Sequence, residues 1–491
     1  MSPIRRAWLV AITLAVGVTA CHLVVISPET LVHDWHGWRQ ADTQSIARIF
    51  HREGIDLLRP RIAWGGDGSG IVEAELPLFP AVVAVIMKVT GEVEWAGRAV
   101  SALAIALTGL LIFAWLAPRR GPAAALAAQA LFLGSQGAVF LVSVQPDALG
   151  LCFVVASLVA TALWVESDHP GHAAASSALL IVGALLKPTL LAISAARGIL
   201  VAWSAPGRLT RLLPWALGTL ELGAVAAWLA WGAHLHATHG NTFGVISGGD
   251  SKFPTLDRLL SPMQYVRLVE VGLTYGPGLL GAVALAVAAF RRTLDAATAG
   301  LWVAYAATGV IAMRYMTESW LGSHYHALGI VAGAAALAAA LEGVRASRVL
   351  WLAPALLAPW LVALQSRPVA AAGWASAEIE AAQQLRTVRP PNDGTLVIVR
   401  SRVESRVDHW GGINNFEDPR VFYLADATGW VVPSDRWDAT ELEDFRRRGA
   451  RWYVAPGGPP APPVDGWLAQ TAERRYPLPS GGVVVALRPP P

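Results

Sequence analysis

Charge is what this chain lacks most. Only 15% of its 491 residues are Asp, Glu, Lys or Arg, against about 25% in a soluble globular protein. The shortage excludes a water-solvated surface for most of the length. The formal net charge of +3 is small, and the basic residues form neither a stripe nor a reading motif, so nucleic acid is excluded as a partner. Cysteine is nearly absent. Cys21 and Cys152 both lie in apolar runs, which excludes a disulfide framework and a thiolate metal centre. "VTAC" before Cys21 resembles a lipoprotein cleavage signal, but the apolar run continues through "HLVVIS", so the stretch reads as an uncleaved first span. There is no phosphate loop either: "GGDGSG" at 65–70 has neither the lysine nor the strand–helix context. No internal repeat is visible.

What is abundant is apolar sequence, 54% of the chain, with mean hydropathy +0.46. Crossing the hydrocarbon takes about 20 apolar residues. Candidate spans are 7–27, 95–117, 122–142, 147–165, 212–232, 268–290, 297–315, 325–343 and 349–365, with shorter ones at 173–186 and 189–205 flanking "KPT". Arg and Lys near span ends mark the cytoplasmic side. "RR" at 5–6, 119–120 and 291–292, "GRLTR" at 207–211 and "RASR" at 345–348 all fall there if the chain makes eleven crossings with its N-terminus inside. Residues 76–90 then lie along the outer surface or dip into it. The reading is a polytopic α-helical membrane protein of about eleven transmembrane helices, with long outer loops at 28–94 and 233–267. Residues 1–366 form the membrane domain, including the loop 28–94, and 367–491 form a small extracytoplasmic α/β domain. In the latter, "TLVIV", "RVFYLADATGW" and "ARWYVAPGG" read as strands and 437–449 as a helix.

The first outer loop gathers polar groups beside the membrane. In "HGWRQADTQSIARIF", Ile46, Ile49 and Phe50 recur at helical spacing, predicting a short amphipathic helix on the membrane face. Asp42 lies one turn before Ile46 and shares its face. Desolvation there raises a carboxyl's pKa and suits a general base; the plainer reading is a helix cap. Glu75 in "EAELPLFP" and Arg98 at the outer start of the second span join it. Interfacial charges are costly and default to function, although ion pairing or snorkelling would also place them there.

The order "RQADTQSIARIF", "LRPRIAW", "EAELPLFP", "GEVEWAGRAVSAL" resembles the GT-C glycosyltransferases, in the branch of the protein O-mannosyltransferases and lipid A aminoarabinose transferases. "QPDALG", "LLKPTLL" and "SHYHALGI" resemble later motifs of that family. The likeness covers the membrane domain and stops before the C-terminal one. Asp42 matches the family's catalytic aspartate, with Asp34 in "VHDWHGW" as the alternative register and Glu75 as the further acid. Thr43 stands where the family has a second acid, and Leu76-Pro77 where it has Lys-Pro-Pro, so the donor phosphate contact must fall to Arg39, Arg98 or Lys187, with His324 and Tyr325 from the late aromatic motif. The resemblance implies a polyprenyl-phosphate sugar donor, a hexose or pentose, and an acceptor hydroxyl on a glycan, lipid or protein. It also implies a bacterial plasma membrane location and inverting transfer without a nucleotide.

Gln40, Trp38 and Asp147 are candidate substrate contacts; Trp35 and Trp64 could also stack on a sugar, and Asp147 equally reads as an N-terminal helix acid. His234, His236 and His239, with His324 and His326, either offer imidazoles to a divalent ion, the one cofactor left open, or are loop histidines at an interface. Glu221, within a span, reads as a paired charge. The rival functions are a transporter or flippase of lipid-linked sugars, for which the "KPT" break speaks, and a membrane polymer ligase.

Overall fold

In the computed structural model, residues 3–25, 36–245, 254–317, 319–345, 376–390, 394–405, 416–435 and 438–491 are described. The candidate span 349–365 lies outside them, as do Asp34 and Trp35. In chain order, the first elements are α1 (Pro3–Val25), α2 (Gly37–Glu53), β1 (Val72–Glu73), α3 (Leu78–Thr90) and α4 (Trp95–Arg120). There follow α5 (Pro122–Gly134), α6 (Gln136–Leu141), α7 (Asp147–Ser167), α8 (Pro170–Leu186), α9 (Ile193–Ser204), α10 (Leu212–His239) and β2 (Asn241–Thr242). Next are α11 (Leu256–Leu260), α12 (Pro262–Tyr275), α13 (Gly278–Phe290), α14 (Ala296–Ile311), α15 (Met313–Met316) and α16 (Ala327–Ala340). The last part holds α17 (Ser376–Val388), β3 (Leu396–Arg400), α18 (Arg420–Ala425), β4 (Gly429–Val432), α19 (Ala439–Arg447), β5 (Ala450–Ala455), α20 (Pro462–Thr471), β6 (Ala472–Pro477) and β7 (Val483–Leu487).

The chain divides into two compact units. The first comprises Met1–Ser27, Trp95–Trp228 and Lys252–Arg367; the second comprises Pro28–Glu94, Leu229–Ser251 and Pro368–Pro491.

The first unit is helical. Among the described residues of the whole chain, four helices are long and apolar enough to cross a membrane: α1 from Ile4 to Leu23, α4, α7 and α10. The pair α12 and α13 makes a fifth if counted as one span, bent by 102°. Expected spans are thus broken: 297–315 is interrupted at Ala312, between α14 and α15, and two others break further in. Residues 122–142 divide at Ser135, whose hydroxyl accepts from Ala138 N and caps α6. Residues 268–290 turn at Gly276-Pro277, where proline cannot continue the ladder. Small residues let the helices close on one another, as lipid-facing bundles require. A Cβ on Gly281 of α13 would stand 2.7 Å from the Cα of Gly333 in α16, and one on Gly300 of α14 would stand 2.7 Å from the Cα of Ala196 in α9.

Ion pairs gather the helix ends that the sequence assigns to one side. Arg120 reaches Asp295 at 2.5 Å and also Glu342. Arg119 meets Glu166, and Arg211 meets Asp168 at 2.6 Å. Arg291 donates to the Glu342 carbonyl at 2.8 Å.

The second unit is α/β. Its sheet has the order β4-β3-β5-β7-β6, with β4, β3 and β5 parallel and β7 and β6 antiparallel. "RVFYLADATGW" corrects the strand reading: Arg420–Ala425 is helical and only Gly429–Val432 is strand. The burial of Val421, Phe422 and Ala425 follows helical spacing. Asp426 in the left-handed region (φ 48°) then ends the helix. A two-residue parallel ladder, Val72 to Asn241 and Glu73 to Thr242, joins the two outer loops. One core serves all three segments of this unit: Ile46, Phe50, Ile62, Trp64 and Val72 pack with Leu385, Val397, Phe422 and Val454, and the partly buried Phe243 packs against them.

Candidate functional site

Helix α2 carries the polar stretch. His36 precedes it in the left-handed region (φ 53°), and its carbonyl accepts from Gln40 N at 3.0 Å. The helix therefore begins well before Asp42, which sits in the second turn and does not cap it. The expected amphipathic stripe is absent too: every residue from Gln40 through Ala47 is buried. The helix is enclosed on several sides because other segments of the second unit cover it, so a single membrane-facing side does not describe it.

Asp42 is 2% exposed. The Trp64 indole Nε1 donates to its Oδ1 at 2.8 Å. Burial pushes its pKa up from 3.8 to about 8; the nearby Arg39 charge and the Trp64 hydrogen bond pull it down, and the negative charges of Asp418 and Glu417 push it up. Arg39, one helical turn before Thr43, pairs with Glu75 at 2.5 Å. Its guanidinium lies 4.1 Å from the centroid of the Phe243 ring. Trp64 packs against the same ring, centroids 6.3 Å apart. The structure thus brings Asp42, Arg39 and Glu75 into one neighbourhood. Gln40 is fully buried beside them, while Trp38 turns toward His36, with ring centroids 6.0 Å apart. Trp64 is a hydrogen-bond donor to the carboxylate, not an open sugar platform.

Three charged residues here were not singled out from the sequence. Glu417, Asp418 and Arg420 come from the C-terminal domain. Burial raises Glu417 to about 7, against the pull of its own and Phe416's backbone amides. Arg420 pairs with Asp418 at 2.5 Å and with the buried Glu378 at 3.4 Å. The signal was the polar run "FEDPR", but nothing in sequence links it to a helix more than three hundred residues away.

In the first unit, a second cluster forms. Asp147 opens α7 and its carboxylate meets Lys187 Nζ at 3.2 Å, both largely buried. Lys187 follows α8, and its ammonium lies 4.5 Å from the centroid of the Tyr325 ring. Tyr325 stacks on Tyr315 at 5.1 Å, with His324 beside it at 4.2 Å. Four of the residues named from sequence therefore converge. Arg98 is buried in α4 of the same unit at 2% exposure. Glu221 is paired with Arg197 at 2.8 Å, as read. His326 bonds the Tyr305 hydroxyl at 2.7 Å and the Met316 carbonyl at 3.0 Å. Of the α10 histidines, His239 contacts Ser69 at 3.4 Å and His234 packs against Trp231. Among the described residues no group of three or more His, Cys, Asp or Glu side chains could hold a metal ion, so the imidazoles do not form the ligand set that a divalent ion would need.

Comparison with known proteins adds to this geometry. Residues 74–231 match the family model described as dolichyl-phosphate-mannose-protein mannosyltransferase. No curated protein sequence matches the chain significantly. Among solved structures, ArnT from Cupriavidus metallidurans bound to undecaprenyl phosphate is similar at TM-score 0.61 and 15% identity, covering 98% of each chain. The same enzyme in the apo state gives 0.63 at 15% identity, covering 99% of this chain and 98% of that one. The archaeal oligosaccharyltransferase AglB from Archaeoglobus fulgidus, in complex with an inhibitory peptide and a dolichol-phosphate, gives 0.54 at 11% identity over 99% of this chain and 75% of that one. The fold read from the sequence is borne out: this chain is a polytopic helical membrane protein with the GT-C fold that these structures share.

Proposed function

We propose that the protein is a membrane glycosyltransferase that moves a sugar from a polyprenyl phosphate to an acceptor hydroxyl on the extracytoplasmic side, with inversion. The observation that carries this reading is Asp42: a buried carboxylate with a pKa near 8 that accepts a hydrogen bond from the Trp64 indole. A base titrating near working pH is matched to general-base catalysis. The acceptor O–H proton passes to Asp42 as the oxygen attacks the anomeric carbon. The bond from that carbon to the phosphate oxygen breaks, and polyprenyl phosphate leaves as an anion.

That leaving group is already charged and calls for cations rather than a proton donor. Arg39, in the same unit as Asp42, is one such cation; Arg98 and Lys187, the latter with Tyr325 and His324 beside it, are the other candidates named from the sequence. The ligands bound in the similar structures, undecaprenyl phosphate and dolichol-phosphate, support a lipid-phosphate donor. The membrane is proposed to be the bacterial plasma membrane, with the N-terminus cytoplasmic.

The bent pair α12–α13 and the break at Lys187-Pro188 favour the second reading, a flippase of lipid-linked sugars, since broken helices line transport paths. Membranes containing the chain, supplied with radiolabelled polyprenyl-phosphate sugars, separate the two. The proposed enzyme gives a labelled acceptor and loses it in Asp42→Asn at unchanged protein level. Donor that crosses the bilayer without any transfer would overturn the proposal.

A further inference from the structure

The glycine run "GGDGSG", residues 65–70, lacks the features of a phosphate loop, yet it is closely held. Its flanks pair with each other: Ile62 N donates to Gly70 O at 2.9 Å, and Val72 N to Pro60 O at 3.0 Å. The tip closes on the edge strand β4 of the C-terminal sheet. Gly429 N donates to Ala63 O at 3.0 Å, and Gly66 N donates to Gly429 O at 2.7 Å. These two bonds bracket Trp64. Gly66 takes φ +69°, and a Cβ there would run into the Trp430 indole. Beyond the tip, Arg448 Nε donates to Asp67 at 3.0 Å while its guanidinium lies 5.3 Å from the Trp430 ring. A second tether fastens α2 itself: Arg48 donates to the Tyr423 carbonyl at 2.8 Å, and Arg52 binds Asp426 at 2.9 Å and Glu92 at 2.5 Å.

We propose that the C-terminal domain is a positioning element: the edge of its sheet clasps Ala63–Gly66 so that Trp64 holds the Asp42 carboxylate in one orientation. The domain thereby acts on the site through Trp64, whatever else it binds. The inference rests on the reading of Asp42 as the working base, but its test does not. The charged groups that face Asp42 are Arg39 on its own helix and Glu417 and Asp418 from the C-terminal domain. None of these lies in the clasp, so loosening the clasp changes the Trp64 contact and leaves them in place.

The test uses the full chain in detergent. Dicyclohexylcarbodiimide, which reacts with protonated carboxyls in apolar surroundings, is applied across a pH series, and label on Asp42 is read by mass spectrometry. In the native chain the label should fall with rising pH, with a midpoint near 8. Trp64→Phe removes a donor to the charged form and should move that midpoint up by about one pH unit. Gly66→Val keeps the indole but breaks the clasp, and should move it the same way. If Trp64→Phe fails to accumulate, Gly66→Val carries the test. A midpoint unmoved by Gly66→Val, or an Asp42 that takes no label at low pH, overturns the proposal. Shifted midpoints together with normal transfer by Asp42→Asn would instead remove the base reading and leave the clasp standing.

Discussion

At the scale of single residues, burial decides what each charge does. Asp42 is driven toward its neutral form because burial outweighs the Trp64 hydrogen bond and the Arg39 charge, whereas Arg420 stays charged because Asp418 and Glu378 outweigh the cost of its burial. Arg197 and Glu221 form a largely buried pair within the first unit. Removing one partner of such a pair typically costs about 3–5 kcal/mol, while replacing both with apolar residues is often neutral. Arg197→Met should therefore unfold at clearly lower temperature in detergent, and Arg197→Met with Glu221→Met should recover most of the loss; a double variant no better than the single one would refute this. Asp42 was singled out in sequence because it shares a face with Ile46, but it is buried because the whole stretch 40–47 is enclosed. Its partner Trp64 was not legible, because sequence gives an indole no direction and its orientation comes from a clasp made with Gly429.

At the scale of elements, helices in the first unit approach through small residues. Gly333 of α16 faces Pro277, whose carbonyl oxygen would lie 2.8 Å from an added Cβ. The obstacle is backbone, so overpacking falls at or above the usual range of about 1–3 kcal/mol. Gly333→Val should reduce the folded yield and lower the unfolding temperature, and unchanged thermal unfolding would contradict the packing described. Hydropathy found these elements but not their breaks. A window averages across Ser135 and Gly276-Pro277, where one cap or one missing N–H ends a helix without altering mean polarity. "RVFYLADATGW" misled for a related reason. Its Val, Phe and Tyr favour strands, but Val421, Phe422 and Ala425 share the buried side of a short helix that starts after Pro419.

At the scale of the whole molecule, the second unit is assembled from three distant segments around one core. Its loop strands and its C-terminal sheet should open together. Hydrogen exchange measured by mass spectrometry should show the amides of Ile62 and Val72 protected to the same degree as those of Val397 and Val454. A loop that exchanges well ahead of the sheet would contradict a shared core. This joint assembly was invisible in sequence, since the two loops and the domain are separated by spans and no periodicity connects them.

The central claim is that Asp42 takes the acceptor proton, and the pH dependence of transfer tests it most directly. In the native protein kcat/KM should rise about tenfold per unit below pH 8 and level off above it, because the base form of a group with pKa near 8 grows with pH. Asp42→Asn should be lower by at least about a hundredfold, with that rising limb gone. An Asn variant that accumulates normally and keeps both the rate and the limb would contradict the account.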